Sequence, residues 1–121
     1  MNESELQKKV ISYLKSLPNG KVIRLDGQGK IVRGRVVKSN KTLLDLLFLF
    51  DGQSYFLELK TPVEKEFILK HEARIREGNF NLSNMNLARY RNQLLEIDEI
   101  RMTGNHAELI SCIEDVKRLI G

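Results

Sequence analysis

Residues 43–60 read Leu43-Leu44-Asp45-Leu46-Leu47-Phe48-Leu49-Phe50-Asp51-Gly52-Gln53-Ser54-Tyr55-Phe56-Leu57-Glu58-Leu59-Lys60. Two apolar runs flank Asp51-Gly52, a dipeptide that suits a two-residue hairpin turn because both residues tolerate positive φ. With that turn, Phe50 pairs with Gln53, and counting outward sets Asp45 opposite Glu58. Side chains alternate faces along a strand, so Lys60 shares the face of Glu58. Two carboxylates and an ammonium therefore meet at the open end of an apolar strand pair.

Like charges directly opposite on a sheet are destabilising. Burying an ionised group costs on the order of several kcal/mol even after relaxation. A divalent cation between Asp45 and Glu58 answers both costs, and Mg²⁺ characteristically takes one or two carboxylates plus waters and substrate phosphates. The plainer account is a salt bridge from Lys60 to one carboxylate at a sheet end. Asp45 at the matching register and the unbroken apolar flanks favour the metal account.

Asp45, a spacer of twelve residues, then Glu58-Leu59-Lys60 at the end of a hydrophobic strand resembles the PD-(D/E)XK nuclease signature. Within that superfamily the chain is most similar to the virus-type replication-repair nuclease (VRR-NUC) group. The resemblance implies an α/β fold with a restriction-endonuclease-like core, a central mixed β-sheet flanked by helices. It implies Mg²⁺ or Mn²⁺ held by Asp45, Glu58 and the Leu59 carbonyl. Lys60 would position or deprotonate the attacking water, or stabilise the pentacovalent state; the base role requires a depressed ammonium pKa. The implied activity is DNA endonuclease, and small stand-alone members are associated with homodimers that cut branched DNA such as Holliday junctions or flaps. A phage, repair or restriction setting is open. The rival from another class is a non-catalytic nucleic-acid-binding protein that keeps the fold.

Residues 3–17 carry Leu6, Val10, Tyr13, Leu14 and Leu17 at helical spacing, with Asn2 as N-cap and Glu5 as its capping-box partner. Glu3 projects onto the side of Leu6, Val10 and Leu14. Either it complements the helix dipole or it reaches a site on the sheet. The virus-type family has a helical glutamate three residues before an apolar position and four before a glutamine, a pattern that Glu3, Leu6 and Gln7 match.

Composition narrows the field. The chain has 121 residues, 41% hydrophobic and 30% charged, which suits one domain over 1–121 with a real core. No run approaches the ~20 apolar residues of a membrane span. The acidic start does not resemble a signal peptide. Cys112 is the only cysteine, so intrachain disulfides and cysteine zinc sites are excluded, and a reducing cytoplasm is the expected location. With no tryptophan and few aromatics, base stacking is not an obvious binding mode.

Net charge is +4, yet residues 21–41 hold seven basic residues against Asp26, a local balance of +6 that leaves −2 elsewhere. This asymmetry suggests a polyanion-facing side; a solvated basic hairpin is the bland alternative. Residues 21–25 and 30–38 are predicted to pair as a second hairpin around Asp26-Gly27-Gln28-Gly29. Arg33 and Arg35 share a face there, and with Lys30, Lys38 and Lys41 they are the candidate DNA-backbone contacts.

Beyond Thr61-Pro62, residues 63–77 are predicted helical and 63–84 read as an insertion relative to the compact family members: a lid, a DNA clamp or a subunit contact. Residues 85–102 form the longest predicted helix, with Leu87, Tyr90, Leu94, Ile97 and Met102 on one side. In the family a glutamine or basic residue here faces the carboxylates. Gln93 is the first choice, with Tyr90 or Arg89 as alternatives. A strand over 107–111, parallel to the Glu58 strand, and a final helix capped by Ser111 with Glu114 complete the order.

Overall fold

The computed structural model describes residues 1–25, 30–32, 35–37, 44–78 and 85–121, the side chains of 30–32, 35–37 and 85 excepted. The expected turn at 26–29 and the loop at 39–42 lie outside the described residues. Helix α1 (Glu3–Ser16) precedes strands β1 (Lys21–Arg24), β2 (Lys30–Val32), β3 (Arg35–Val37), β4 (Leu46–Phe50) and β5 (Gln53–Leu59). Helices α2 (Pro62–Lys70), α3 (Glu72–Glu77) and α4 (Met85–Met102) follow, then β6 (His106–Ile110) and α5 (Ile113–Ile120). The fold is mixed α/β. A four-stranded mixed sheet runs β1-β4-β5-β6, and β2 and β3 form a separate two-stranded sheet.

The central hairpin forms in the expected register. Phe50 pairs with Gln53, and Leu46 with Leu57. Asp51 and Gly52 adopt φ of 52° and 74°, the left-handed pair that a tight hairpin needs. Strand β5 then runs parallel to β6, with Leu59 opposite Ile110, and the helices between them make the crossover that a parallel pair requires.

Alternation divides the sheet into two apolar layers. Leu46, Phe48, Tyr55, Leu57 and Leu59 pack with Leu6, Val10 and Leu14 of α1 and Val116 of α5. Ala107 and Leu109 pack with Ile68 of α2, Ile75 of α3, and Tyr90, Leu94 and Ile97 of α4, joined by Leu44 and the half-buried Phe56. Segment 63–77 thus puts Ile68 and Ile75 into the core. Chain direction changes at Asp45, where a bend replaces the expected continuation of the strand to residue 43. This bend sends Leu44 and Leu46 into opposite layers.

Several expectations are corrected. Strand β1 does not pair with 30–38; it pairs antiparallel with β4, Val22 opposite Phe48. Strands β2 and β3 pair with each other, Val32 opposite Arg35. Val22 packs against the first core layer, burial that a strand rich in lysine and arginine would not offer. The single helix at 63–77 is two helices, broken at His71. Met102, the last residue of α4, is 87% exposed instead of lining the α4 core. Ser111 is not the N-cap of α5. Cys112 holds that position without a side-chain bond, and Asp115 reaches back to accept from the Ser111 N–H and hydroxyl at 2.8 and 3.0 Å.

Candidate metal centre

The site lies where β4 and β5 diverge. Beyond the Leu46–Leu57 pair the bend at Asp45 withdraws its backbone from the ladder, and the Asp45 carbonyl accepts from Leu25 N–H at 2.8 Å. The side chain takes over the lost pairing: Leu59 donates its amide N–H to Asp45 Oδ2 at 2.8 Å. Backbone N–H groups hold carboxylates well because the acceptor is charged. Lys60 is fixed by its own backbone, whose N–H donates to Ile110 at 2.9 Å.

Glu58 and Lys60 are each 2% exposed. Lys60 Nζ stands 3.3 Å from Glu58 Oε1 and 5.1 Å from the centre of the Tyr90 ring. Gln93, also buried, donates from Nε2 to Glu58 Oε1 at 2.9 Å. The other carboxylate oxygen, Oε2, is buried with no hydrogen-bond partner among the described residues, as is Gln93 Oε1. Leaving such an atom unsatisfied costs about 1–3 kcal/mol. Burial, and then the negative charge of Asp45, push the Glu58 carboxyl up to about 8, while Lys60 opposes the shift.

Glu3 completes the group. Carboxylate oxygens of Glu3, Asp45 and Glu58 lie within 4.8 Å of one another. Burial raises the Glu3 pKa, Lys60 lowers it, and Asp45 and Glu64 add to the rise. Helix α1 delivers this residue from its first turn, where Asn2 accepts from Glu5 N–H at 2.8 Å and fixes the helix start. The three carboxylates could hold a metal ion. The 4.8 Å bound is slightly wider than the ~4.2 Å span across an octahedral Mg²⁺ shell, twice the metal–oxygen distance. Glu3 is the exposed member of the group. The unpartnered Glu58 oxygen and the upward shift of two acids both mark a site short of positive charge, which fits a divalent ion.

Five sequence candidates therefore meet: Glu3, Asp45, Glu58, Lys60 and Gln93. Leu59 contributes its amide N–H to the same cluster. Of the two alternatives to Gln93, Tyr90 lies against Lys60, and Arg89 stacks on Tyr90 at 5.8 Å; neither is the residue that bonds Glu58. Lys30 and Arg35 fall in β2 and β3, but their side chains lie outside the described residues, as do Arg33, Lys38 and Lys41 altogether. No candidate DNA contact is placed relative to the acids.

Sequence reading missed one supporting residue, Glu64. It accepts from the Tyr90 hydroxyl at 3.0 Å, and its backbone N–H donates to Thr61 Oγ at 3.3 Å. The Thr61 hydroxyl in turn donates to Glu64 Oε1 at 3.3 Å. Thr61-Pro62-Val63-Glu64 is a capping box, a signal available in the sequence. No helix among the described residues is long and apolar enough to cross a membrane. Comparison with protein-family models, curated proteins and solved structures gives no match.

Proposed function

We propose that this chain is a metal-dependent phosphodiesterase that cuts DNA, with Glu3, Asp45 and Glu58 holding Mg²⁺ or Mn²⁺. The observation that carries the reading is the meeting of these acids with Lys60 at the diverging end of β4 and β5, with one Glu58 oxygen unpartnered. A buried carboxylate facing two further acids, with a neighbouring ammonium and no ion, is a poor way to stabilise a fold. The restriction-endonuclease-like core belongs to this proposal. It is supported by the mixed sheet with helices on both faces and by the parallel β5–β6 crossover.

When bound, the ion supplies Lewis-acid neutralisation of charge growing on the phosphate and acidifies water at the site. The protein's part is positioning. The Leu59 amide holds Asp45, and Gln93 holds Glu58. Tyr90, tied to Glu64, lies against the Lys60 ammonium and keeps it at the carboxylates. From there Lys60 donates to the attacking water or to the phosphate oxygens as charge develops. DNA-backbone contacts fall to the basic 21–41 segment, which favours selection by shape over sequence. Branched DNA and a homodimer that cuts both strands are the substrate and assembly that follow from the family resemblance.

Incubation of labelled flaps, forks, four-way junctions and blunt duplex with Mg²⁺ or Mn²⁺ tests the reading. Wild type should cut at least one of them, and Asp45→Asn and Glu58→Gln should reduce the rate at least ~100-fold. Binding without cutting in either metal would replace the enzyme with the non-catalytic DNA-binding reading.

A further inference from the structure

We propose that Phe67, which neighbours the Tyr90 ring that holds Lys60, is a stacking platform for an unpaired DNA base, so that the substrate is single-stranded next to the site. The inference rests on the phosphodiesterase reading for where the strand runs. Helix α2 begins two residues after Lys60, and Val63, Phe67 and His71 follow along one line of its surface at four-residue intervals. The inward position is taken by Ile68, while Val63 and Phe67 remain 78% and 43% exposed. The Phe67 ring lies 4.7 Å from the His71 ring and 6.4 Å from that of Tyr90. Tyr90 in turn carries the Lys60 ammonium and the Arg89 guanidinium. An exposed aromatic ring thus sits one ring away from the candidate catalytic ammonium, with a second cation beside it.

This combination fits a nucleotide. A π-face accepts any base, and the exposed Arg89 guanidinium is the cation that can take its phosphates. A base inside a duplex has no free face, so only an unpaired strand can use the platform. A second copy of the chain fits less well. Two exposed apolar side chains fall far short of the ~800 Å² per partner of a stable interface, and flanking cations suit a polyanion. The sparse aromatic content hid this feature, because three rings from α2 and α4 converge only in the folded chain.

Fluorescence anisotropy with Ca²⁺ in place of Mg²⁺ tests the platform on a short single strand, the same strand with abasic sites, and a blunt duplex. Phe67→Ala should weaken single-strand binding roughly 5- to 100-fold and leave duplex binding unchanged. Phe67→Tyr should retain the affinity, and abasic sites should cost wild type what Phe67→Ala costs on the intact strand. Four results would overturn the proposal: no loss in Phe67→Ala, equal loss on the duplex, full affinity in Phe67→Leu, or a dimer that Phe67→Ala makes monomeric. Cleavage with Mn²⁺, run in parallel, separates the two readings. Phe67-dependent binding without any cutting supports the platform and removes the phosphodiesterase; cutting that ignores Phe67 does the reverse.

Discussion

Gln93 donates its side-chain N–H to Glu58 across 2.9 Å, joining the middle of α4 to the end of β5 beside the buried Lys60. The bond satisfies one oxygen of a buried acid and leaves the other for an outside partner. Stability and chemistry both turn on that arrangement.

The Glu58 carboxyl rises from 4.5 to about 8 on folding, chiefly through burial. Between those values the native state holds a proton that the unfolded chain has lost. Metal-free protein therefore loses stability as pH climbs from about 4.5 to 8, by up to ~1.4 kcal/mol per pH unit. Glu58→Gln should flatten this slope and be more stable than wild type at pH 8, while losing activity. Urea titrations of both proteins in chelator across that range provide the check.

Divalent metal should reverse the deficit. Ions that bind the folded state stabilise it by about 2.7 kcal/mol at one hundred times Kd. Mn²⁺ should raise the melting temperature at pH 8 and chelator should restore it. Asp45→Asn should abolish the shift. Glu3→Gln, which alters an exposed ligand, should only weaken it. Thermal denaturation against metal concentration reads all three.

Replacing Gln93 by Leu removes the donor to Glu58 and puts an apolar side chain of similar size at a buried helix position. The expected cost is ~1–3 kcal/mol in metal-free protein. Activity should fall mainly in kcat, with KM for DNA little changed, because Gln93 meets the acid and not the strand. A matching rise in KM would point to a DNA contact instead.

Asp115, buried at the start of α5, is a structural acid of the opposite kind. Burial alone would raise its pKa, but Lys65 and the Ser111 N–H outweigh burial and hold it well below the usual range. Lys65 donates at 2.9 Å, and Arg118 pairs with the other oxygen. The stabilisation is present above the ordinary value near 3.8 and fades as pH falls below it. Asp115→Asn should cost ~2–3 kcal/mol at pH 7 and much less near pH 2, without altering metal binding. Denaturant midpoints at the two pH values measure the difference.

Legibility followed distance along the chain. Asp51-Gly52 dictates its own turn, and once the turn is set the side-chain period of two puts Glu58 and Lys60 on one face; Asp45 does not take the ladder position opposite Glu58, and its carboxylate reaches the site from the bend before β4. The Asn2 cap and the span of α4 are local in the same sense, governed by neighbours three or four residues away. The partner of β1 was misread, because Val22 could pair with either neighbour and only the burial available against Phe48 chose. Met102 keeps the helical rhythm of α4 but, as its last residue, is left exposed.

The sequence by itself determined the hairpin, its register over Leu46–Leu57 and the sharing of one face by Glu58 and Lys60, since each depends on contacts between near neighbours in the chain; the bend that brings Asp45 to them was not legible. Tertiary structure decided that Glu3 joins them, that Gln93 and not Arg89 bonds Glu58, and that Phe67 is left exposed beside Tyr90. Those outcomes depend on how α1, α2 and α4 seat on the sheet, and shape-complementary burial between distant segments has no local signature to read.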